Sequence, residues 1–535
     1  MRGLKRIIRI TAFLVCGSLL GSSAAYAAGA SEFMNDRQRL FYTAAAAAAG
    51  AAGTNPGQAG ISGFSAAFSA DDLSSLPTVT ETTVLSDWDG DVTRTDSERR
   101  LSQGTLNKKT YSGAGLGDCT VYMQRFTAET SSQAAAVSAF QLGRGQAVVR
   151  SYDASTGKWT EAYLKEGILP YGMYFIKTAD GGESIFISPQ RYKNRENGMI
   201  EYIPSADGGL RVTEQDGRYY ISLVVPAMSA GEFCDFTALC SGSALVDWSD
   251  SETVKKWENY RFADDNRWCF DGYYYRTPST YYPSGDRLYY KLPAAYITGK
   301  MAKNKGDAAS RALCLSMTDT MQARINAQGY IPSENLSTWL KSSYSIEAGY
   351  FDTRFNTDFA MAELNAAASF GAEELVEDAA AYGDFLVSYA ENRHYTVSSS
   401  SGSGEGWLVD DYWNEKGNVK RTHVSLNHQA AEAVFLYRLS SATGQSSYAV
   451  TAERLVSGLE ALGTKWIMPD GNLYYSYGND GRMISGDYPY LTYNDLLELQ
   501  SLYKARHGAG SKTLGLLLES KLQWMNANGV TGYNR

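Results

Sequence analysis

The chain has 535 residues and a formal net charge of −9 at pH 7, and this length allows two or three domains. Because an acidic surface repels polyphosphates, nucleic acid is not expected as a partner. The content of 38 Tyr and 10 Trp residues is unusually high. Such side chains form sugar-binding surfaces, and they also fill hydrated interfaces between helices or sheets, so composition alone does not choose between the two uses.

Residues 1–27 have the order of a secretory signal peptide. Four basic residues precede an apolar stretch at residues 10–20, and Ala25-Tyr26-Ala27 follows. We therefore expect cleavage after Ala27 and a secreted or extracytoplasmic, cell-envelope location. An uncleaved membrane anchor is the alternative, although the apolar stretch is short for a spanning helix. Residues 28–75, rich in Ala, Gly and Ser, are predicted to be a leader with little core of its own.

Residues 76–247 are predicted to form a β-domain. Short alternating or β-branched runs recur along this region, and turn signals rich in Asp and Gly separate them. The runs lie at residues 120–123, 146–149, 173–176, 184–187 and 219–224, and the turns lie at 179–182 and 207–209. This pattern indicates a β-barrel or a β-sandwich.

From Trp248 onward, the hydrophobic period changes from two to about 3.6 residues, which indicates amphipathic helices. Aromatic loops separate the predicted helices, which cover residues 288–301, 308–327, 356–370, 373–391, 426–443, 447–462, 494–505 and 512–527. Paired helices of this size must stack to bury their apolar faces. Residues 248–535 are therefore predicted to form an α/α toroid, an incomplete (α/α)6-like barrel whose inner helices line a cleft. A helical solenoid serving as an adaptor is the alternative.

Polar and aromatic residues are densest between Gly404 and Gln429. Trp407 precedes the run Asp410-Asp411-Tyr412, and His423 and Asn427 follow at the start of a predicted helix. Because His423 and His428 are five residues apart, they do not share a helical face, and paired metal ligation is not expected. No metal or cofactor is therefore predicted. A single metal bound with the help of one of the two aspartates is the alternative.

Three further clusters share a tyrosine and carboxylate character. They lie at residues 347–354, 470–477 and 487–494, and Arg482 follows the second of them. In a toroid these segments occupy successive loops. We therefore expect all of the clusters to converge on one cleft.

Several ordered elements resemble the C-terminal domain of the D-glucuronyl C5-epimerase family over residues 250–510. They are Val424-Ser425-Leu426-Asn427 at a helix start, then Leu436-Tyr437, Leu439 and Thr443-Gly444, with Asp410-Asp411-Tyr412 upstream and Gly471-Asn472-Leu473-Tyr474, Asp487-Tyr488 and Asn494 downstream. The resemblance also implies a β-domain before the helices, which the predicted β-domain supplies.

The resemblance implies proton transfer at C5 of uronic acid units, where the neighbouring carboxylate stabilises a carbanion. Carried over by position, the catalytic residues would be Asp411, Tyr412, Tyr474 and Tyr488, with tyrosine and carboxylate groups moving the proton. The side chains expected to bind substrate come from the same convergent loops and are Asp352, Arg354, Trp407, His423, Asn427, Tyr477, Arg482 and Asn494.

Two positions depart from the family pattern. Asp411 stands where the family has Glu, and Tyr477 stands where an Arg is expected three residues after Tyr474. A bidentate arginine is a natural clamp for a uronate carboxylate. Arg354 or Arg482 would therefore have to replace it.

Three other functions stay open for the same cleft. A β-eliminating polysaccharide lyase would use tyrosine as base and acid, with His423 and Asn427 near the carboxylate. A glycoside hydrolase would pair Asp352 with Asp411. A non-catalytic glycan-binding protein of exopolysaccharide assembly would use the aromatic loops as a platform. The expected partner is in each case a polysaccharide or oligosaccharide, and cell-envelope association and homodimerisation are left open.

Overall fold

The computed structural model describes residues 78–85, 90–101, 103–153, 155–205, 208–260, 266–303, 307–398, 405–415 and 420–534. The predicted signal peptide and leader lie outside these residues. The chain divides into two compact units. The first contains the described residues up to Asp271 together with Asp286–Tyr289 and Asn304–Met317, and the second contains Gly272–Gly285, Tyr290–Lys303 and Thr318–Arg535.

Antiparallel strands form two sheets in the first unit. In chain order, these strands are β1 (Thr78–Leu85), β2 (Val92–Leu101), β3 (Gly104–Ser112), β4 (Thr120–Ala128), β5 (Ala135–Arg144), β6 (Ala147–Asp153), β7 (Lys158–Tyr163), β8 (Gly167–Leu169), β9 (Met173–Thr178), β10 (Glu183–Asn194), β11 (Met199–Tyr202), β12 (Gly209–Gln215), β13 (Arg218–Val225) and β14 (Glu232–Ser241). One sheet has the order β1-β2-β3-β4-β14-β10-β11, with β9 beside β10, β6 beside β9 and β7 beside β6. The other sheet has the order β5-β13-β12-β8.

The two sheets share one apolar core. Phe126 of β4, Phe186 of β10 and Ile221 of β13 are buried in it. The rings of Phe140 on β5 and Phe186 meet edge to face, with their centroids 5.4 Å apart. Since β5 and β10 belong to different sheets, this contact joins the two layers. The strands predicted from alternation are therefore confirmed, and they lie in antiparallel sheets.

After β14, helices alternate with short strands. The first unit also contains α1 (Ser251–Tyr260) and β15 (Asn266–Cys269). The later helices are α2 (Tyr296–Met301), α3 (Ala308–Gln322), α4 (Thr338–Tyr344), α5 (Thr353–Phe370), α6 (Glu374–Asn392), α7 (Leu426–Thr443), α8 (Ser446–Leu462), α9 (Leu491–His507) and α10 (Lys512–Ala527). The later strands are β16 (Gly272–Arg276), β17 (Tyr281–Tyr282), β18 (Leu288–Lys291), β19 (Leu336–Ser337), β20 (Phe351–Asp352), β21 (His394–Ser398), β22 (Glu405–Val409), β23 (Tyr412–Trp413), β24 (Val424–Ser425), β25 (Tyr474–Tyr477) and β26 (Met483–Gly486).

Three consecutive helix pairs of the second unit pack in two layers. Each pair, α5 with α6, α7 with α8 and α9 with α10, forms its own contacts. In addition, α7 lies between α5 and α9, while α8 contacts α6 and α10. One layer therefore contains α5, α7 and α9, which we call the inner helices, and the other contains α6, α8 and α10. This is the stacking that the sequence predicts for paired amphipathic helices.

The approach of α8 to β22 depends on two glycines. A Cβ atom added to Gly458 would lie 2.2 Å from the backbone oxygen of Trp407, and one added to Gly406 would lie 2.1 Å from the backbone nitrogen of Gly458. Because no backbone atom can tolerate such distances, only glycine allows the helix and the strand to meet this closely.

Helix bounds agree with the sequence pattern at several places and differ at others, as where the helix predicted over residues 308–327 ends at Gln322. The predicted helices 426–443 and 512–527 coincide with α7 and α10. The helix predicted over residues 288–301 is wrong, since β18 ends at Lys291 and α2 begins only at Tyr296. Pro293 lies between them, and proline disrupts the interior of a helix. Within the described residues, no helix combines the length and the apolar character that crossing a membrane requires.

Candidate active site

Short antiparallel strand pairs gather the loops that precede two inner helices. β20 pairs with β23, which places Asp352 opposite Tyr412, and β24 pairs with β25. The backbone of Asp411 connects the two ladders, because its carbonyl accepts from Thr353 N at 3.1 Å and its N–H donates to His423 O at 3.2 Å. Since α5 follows β20 and α7 follows β24 directly, both helices begin where these loops meet.

The carboxylate of Asp411 lies at the centre of this junction and is fully buried. Its Oδ1 accepts from the Ser425 N–H at 2.8 Å, and its Oδ2 accepts from the Ser425 hydroxyl. Two histidines approach Oδ2, His423 through Nε2 at 3.2 Å and His428 through Nδ1 at 3.6 Å. Burial opposes ionisation, but the two histidines and Ser425 outweigh it, so that the pKa of Asp411 is lowered. Asp411 is therefore a carboxylate that orients histidines.

His423 connects this carboxylate to a tyrosine. Its Nδ1 lies 3.0 Å from the hydroxyl oxygen of Tyr344 at the end of α4. With the Nε2 proton directed at Asp411, Nδ1 is free to accept from the Tyr344 hydroxyl. The Nε2 contact lacks the alignment of a full hydrogen bond, as is common where catalytic contacts tighten only with substrate bound. The order Tyr344, His423, Asp411 is that of a nucleophile or base, its partner and an orienting acid.

His428 lies on the other side of Asp411. Its Nδ1 is 2.9 Å from the Thr353 hydroxyl. Burial lowers the pKa of His428 to about 4, against the opposing charge of Asp411. The imidazole is therefore neutral at pH 7.

Aromatic rings surround the two histidines. The ring of His423 lies 5.3 Å from that of Trp339, 5.7 Å from that of Tyr412 and 5.8 Å from that of Tyr475. Tyr475 in turn meets Tyr488 edge to face at 5.6 Å. Trp339 is 41% exposed and Tyr488 is 49% exposed, so this aromatic rim, formed by Trp339, Tyr412, Tyr475 and Tyr488, extends from buried histidine to solvent.

Asp352 lies beside the same rings. It is buried, and its Oδ1 caps α5 by accepting from Phe355 N at 3.0 Å. Burial raises the pKa of Asp352 to about 8, and the charges of Asp411 and Asp358 add to this against the backbone N–H of Phe355. At neutral pH Asp352 is therefore mostly a protonated acid, whereas Asp411 is ionised.

A buried lysine holds the loop that carries Tyr488. Lys521 of α10 is fully buried and donates to the Tyr488 carbonyl at 2.6 Å and to Asn472 Oδ1 at 2.6 Å. It also pairs with Asp487 Oδ2 at 2.9 Å. One cation thus fixes the loops before β25 and before α9.

Of the four residues predicted to be catalytic, three lie around His423 and one lies elsewhere. Asp411 and Tyr412 are neighbours of His423, and Tyr488 reaches the cluster through Tyr475. Tyr474 instead packs against the apolar core of the helices. Consecutive residues of a strand point to opposite faces, so on β25 it is Tyr475, not Tyr474, that enters the cluster.

The arginines predicted to clamp a carboxylate have other surroundings. Arg354 bonds to Asp358 at 2.9 Å and to Asp495 at 2.6 Å, and it also donates to the backbone of Asn427. Its charge is therefore already paired inside the helices. Arg482 is 85% exposed, and its closest acidic partner is Asp480 at 3.7 Å. Neither arginine is directed at the His423 cluster.

Other residues predicted to bind substrate have contacts of their own. Trp407 stacks on His394 at 4.3 Å, and Tyr477 meets Tyr395 at 5.9 Å. Asn494 accepts from the backbone N–H of Asn534 at 2.8 Å. Asn427 is buried on the first turn of α7, and its Oδ1 has no hydrogen-bond partner in the described part of the chain. Substrate binding by these four side chains stays a prediction.

Sequence reasoning missed Tyr344, Trp339 and Tyr475. The first two lie on α4, a helix of seven residues that is too short for a hydrophobic period to show. Tyr475 was not predicted because the sequence Tyr474-Tyr475 does not indicate which of the two rings faces the cluster. Among the residues that the structure describes, no group of three His, Cys, Asp or Glu side chains is arranged to hold a metal ion.

No protein-family model matches the chain, and no curated protein matches its sequence. Among solved structures, a D-mannose isomerase aligns at 14% identity and a TM-score of 0.34 over 46% of this chain and 64% of its own, which is less than two thirds of its length. A family 76 glycoside hydrolase from a bovine Bacteroides thetaiotaomicron strain aligns at 14% identity and 0.35 over 76% of this chain and 75% of its own. A cellobiose 2-epimerase from Bacillus thermoamylovorans aligns at 12% identity and 0.32 over 44% and 60%.

All three of these structures are named for activities on carbohydrates. Their TM-scores lie below 0.5, so the likenesses assign neither a family nor an activity to this chain.

Proposed function

We propose that the chain is a secreted, glycan-modifying enzyme of the α/α toroid type that moves a proton at an acidic carbon of a sugar unit. C5 of a uronic acid, as in the D-glucuronyl C5-epimerases, is the first candidate. The observation that carries the proposal is the chain of contacts from Tyr344 through His423 to Asp411, at 3.0 Å and 3.2 Å. It lies beside an aromatic rim that is open to solvent.

The contacts suit a general base. Burial raises the pKa of Tyr344, so a free phenolate is not available at neutral pH. His423 accepts the hydroxyl proton as Tyr344 takes a proton from the sugar carbon, and Asp411 stabilises the imidazolium that forms. No charged tyrosine has to exist before the substrate arrives.

The substrate carbon must be acidic, which limits the substrate class. A C–H bond next to a carboxylate or a carbonyl meets this condition, because the adjacent group delocalises the negative charge. The exposed rings of Trp339 and Tyr488 offer apolar faces to a sugar ring, and the tyrosine hydroxyls offer partners for its hydroxyls. A polysaccharide or oligosaccharide with uronic acid units fits both features.

A glycoside hydrolase is the second candidate, and one observation favours it. The pKa of Asp352 is raised to about 8 while that of Asp411 is lowered, and such a divided pair is typical of acid and base in glycoside hydrolysis. Against it, Asp411 is fully buried and both of its oxygens are engaged by Ser425 and the histidines. A nucleophile or base would need one oxygen free.

Solvent exchange separates the candidates. Purified protein is incubated in D2O with uronic acid-containing oligosaccharides and, separately, with reducing disaccharides that carry an acidic C2–H. Deuterium at C5 or C2 without chain cleavage supports proton transfer. Absorbance of an unsaturated end in the ultraviolet would show a lyase, and new reducing ends would show a hydrolase. Affinity without any product would show a glycan-binding protein.

The base is tested by Tyr344→Phe. We expect a loss of exchange of at least ~100-fold, the usual contribution of a positioned acid or base. Tyr437→Phe is the matched control, because Tyr437 is a buried tyrosine of α7 outside the site. If a folded Tyr344→Phe variant incorporated deuterium at the wild-type rate, Tyr344 would not be the base.

A further inference from the structure

Inversion of a carbon needs a second group, because the proton must return on the face opposite to the one from which it left. Tyr344 and His423 account for one face. The second group must lie close to the same aromatic rings, on an element other than α4, and it must carry a proton when the first group does not.

Asp352 has this location. It is the register partner of Tyr412 in the β20–β23 ladder. Tyr412 also meets His423, with the two ring centroids 5.7 Å apart, so this tyrosine has His423 as one neighbour and Asp352 as another. Burial, followed by the charges of Tyr475 and Asp352, raises the pKa of Tyr412.

An ionised Asp352 also has an electrostatic effect on the exposed end of the rim. Its charge contributes to the raised pKa of Tyr475 and of Tyr488, behind burial as the main cause in both. Asp352 ends β20 directly before α5, whereas Trp339 and Tyr344 lie on α4. The two groups lie on separate elements.

We propose that Asp352 is the second proton-transfer group of the site and that it faces Tyr344 across the sugar carbon. This assignment rests on the proposed function. It changes the role of Asp352 from a substrate contact to a catalytic residue, and it predicts that the enzyme acts in both directions, each group taking the proton from one epimer.

Tyr344 removes the carbon-bound proton and passes its own hydroxyl proton to His423, and the carbanion is delocalised into the substrate carboxylate or carbonyl. The Asp352 carboxyl then donates its proton to the opposite face, leaving a carboxylate. The His423 imidazolium loses its extra proton to solvent, and the Asp352 carboxylate takes one from solvent. No oxidant, reductant or cofactor enters these steps.

Asp352→Asn tests the assignment while preserving the helix cap, because the Asn carbonyl can still accept from Phe355 N and Asn is a good cap. We expect the variant to lose inversion by at least ~100-fold. We expect it to retain exchange of solvent deuterium into the epimer whose proton faces Tyr344, since Tyr344 can remove and return a proton on one face. Tyr344→Phe should show the opposite preference.

Asp378→Asn is the matched control, because Asp378 is a carboxyl of α6 whose pKa is also raised by burial and which accepts from Gln322. Inversion at the wild-type rate by Asp352→Asn would overturn the assignment. Equal loss of exchange from both epimers in a folded Asp352→Asn variant would also overturn it. Absence of any exchange in the wild-type protein would instead contradict the proposed function, so the two failures are distinguishable.

Discussion

At the scale of single residues, the structure brings several of the predicted side chains together, while their roles stay predictions. Asp411, Tyr412, Tyr488 and His423 were predicted and do come together, because ordered polar runs between helices locate a site without knowledge of side-chain directions. Tyr474 was expected where Tyr475 lies. Successive side chains of a strand point to opposite faces of the sheet, so an error of one position places the wrong side chain in the site.

The buried acid Asp352 predicts a specific dependence of stability on pH. Its pKa is about 8 in the folded chain and about 3.9 in an unfolded one. A raised pKa means that the folded state holds the proton more tightly, so the stabilisation is complete below about pH 4 and is lost as the pH rises through about 8.

Urea unfolding at pH 5, 7 and 9 measures this effect. We expect the free energy of unfolding of the wild type to fall relative to that of Asp352→Asn as the pH rises, by on the order of a few kcal/mol. Asparagine does not titrate, so the difference between the two proteins isolates this one group from the other buried acids. Parallel pH curves for both proteins would contradict a raised pKa.

At the scale of elements, the site depends on helices that do not contact the histidines. Lys521 of α10 holds the Tyr488 carbonyl and pairs with Asp487. Lys521→Met leaves that carboxylate buried without a counter-charge, although the Thr492 hydroxyl still donates to it, and this costs about 3–5 kcal/mol of stability. The double variant Lys521→Met/Asp487→Asn should recover part of this loss.

Unfolding and kinetics together test this element. We expect the loosened loop to move Tyr488, so that KM rises several-fold while exchange at saturating substrate changes less. The double variant should regain stability without regaining KM, because the carbonyl contact is still missing. Recovery of both quantities would show that the lysine has only a structural role.

The contact between α8 and β22 gives a second prediction at this scale. Gly458→Ala introduces a methyl group 2.2 Å from the Trp407 carbonyl oxygen and should cost about 1–3 kcal/mol, as overpacking does. Gly515→Ala on α10 is the matched control, since its closest contact is an ordinary 3.6 Å to Gln500. In thermal unfolding, Gly458→Ala should have a lower midpoint temperature than the wild type, and Gly515→Ala should have a midpoint at or above it. Equal midpoints for the two variants would contradict the packing argument.

At the scale of the whole molecule, a domain boundary at Trp248 stays a prediction, and the first compact unit also contains residues after it. The long helices were predicted to within a few residues because each buries one face for three or more turns. The short strands between them, such as β20, β23 and β24, were not predicted. Two-residue ladders have no period of their own and form only because helix packing brings their loops together.

The common starting place of α5 and α7 has an electrical consequence. The first turn of a helix carries a partial positive charge, since its N–H dipoles point outward. Two such ends lie at the loops that hold Asp352 and Asp411. In the proposed reaction these ends would offset part of the repulsion between the Asp411 carboxylate and the negative charge that spreads over the substrate, since Arg354 is committed to Asp358 and Asp495. Backbone dipoles would thus supply part of the stabilisation of negative charge that an arginine side chain provides in other sites.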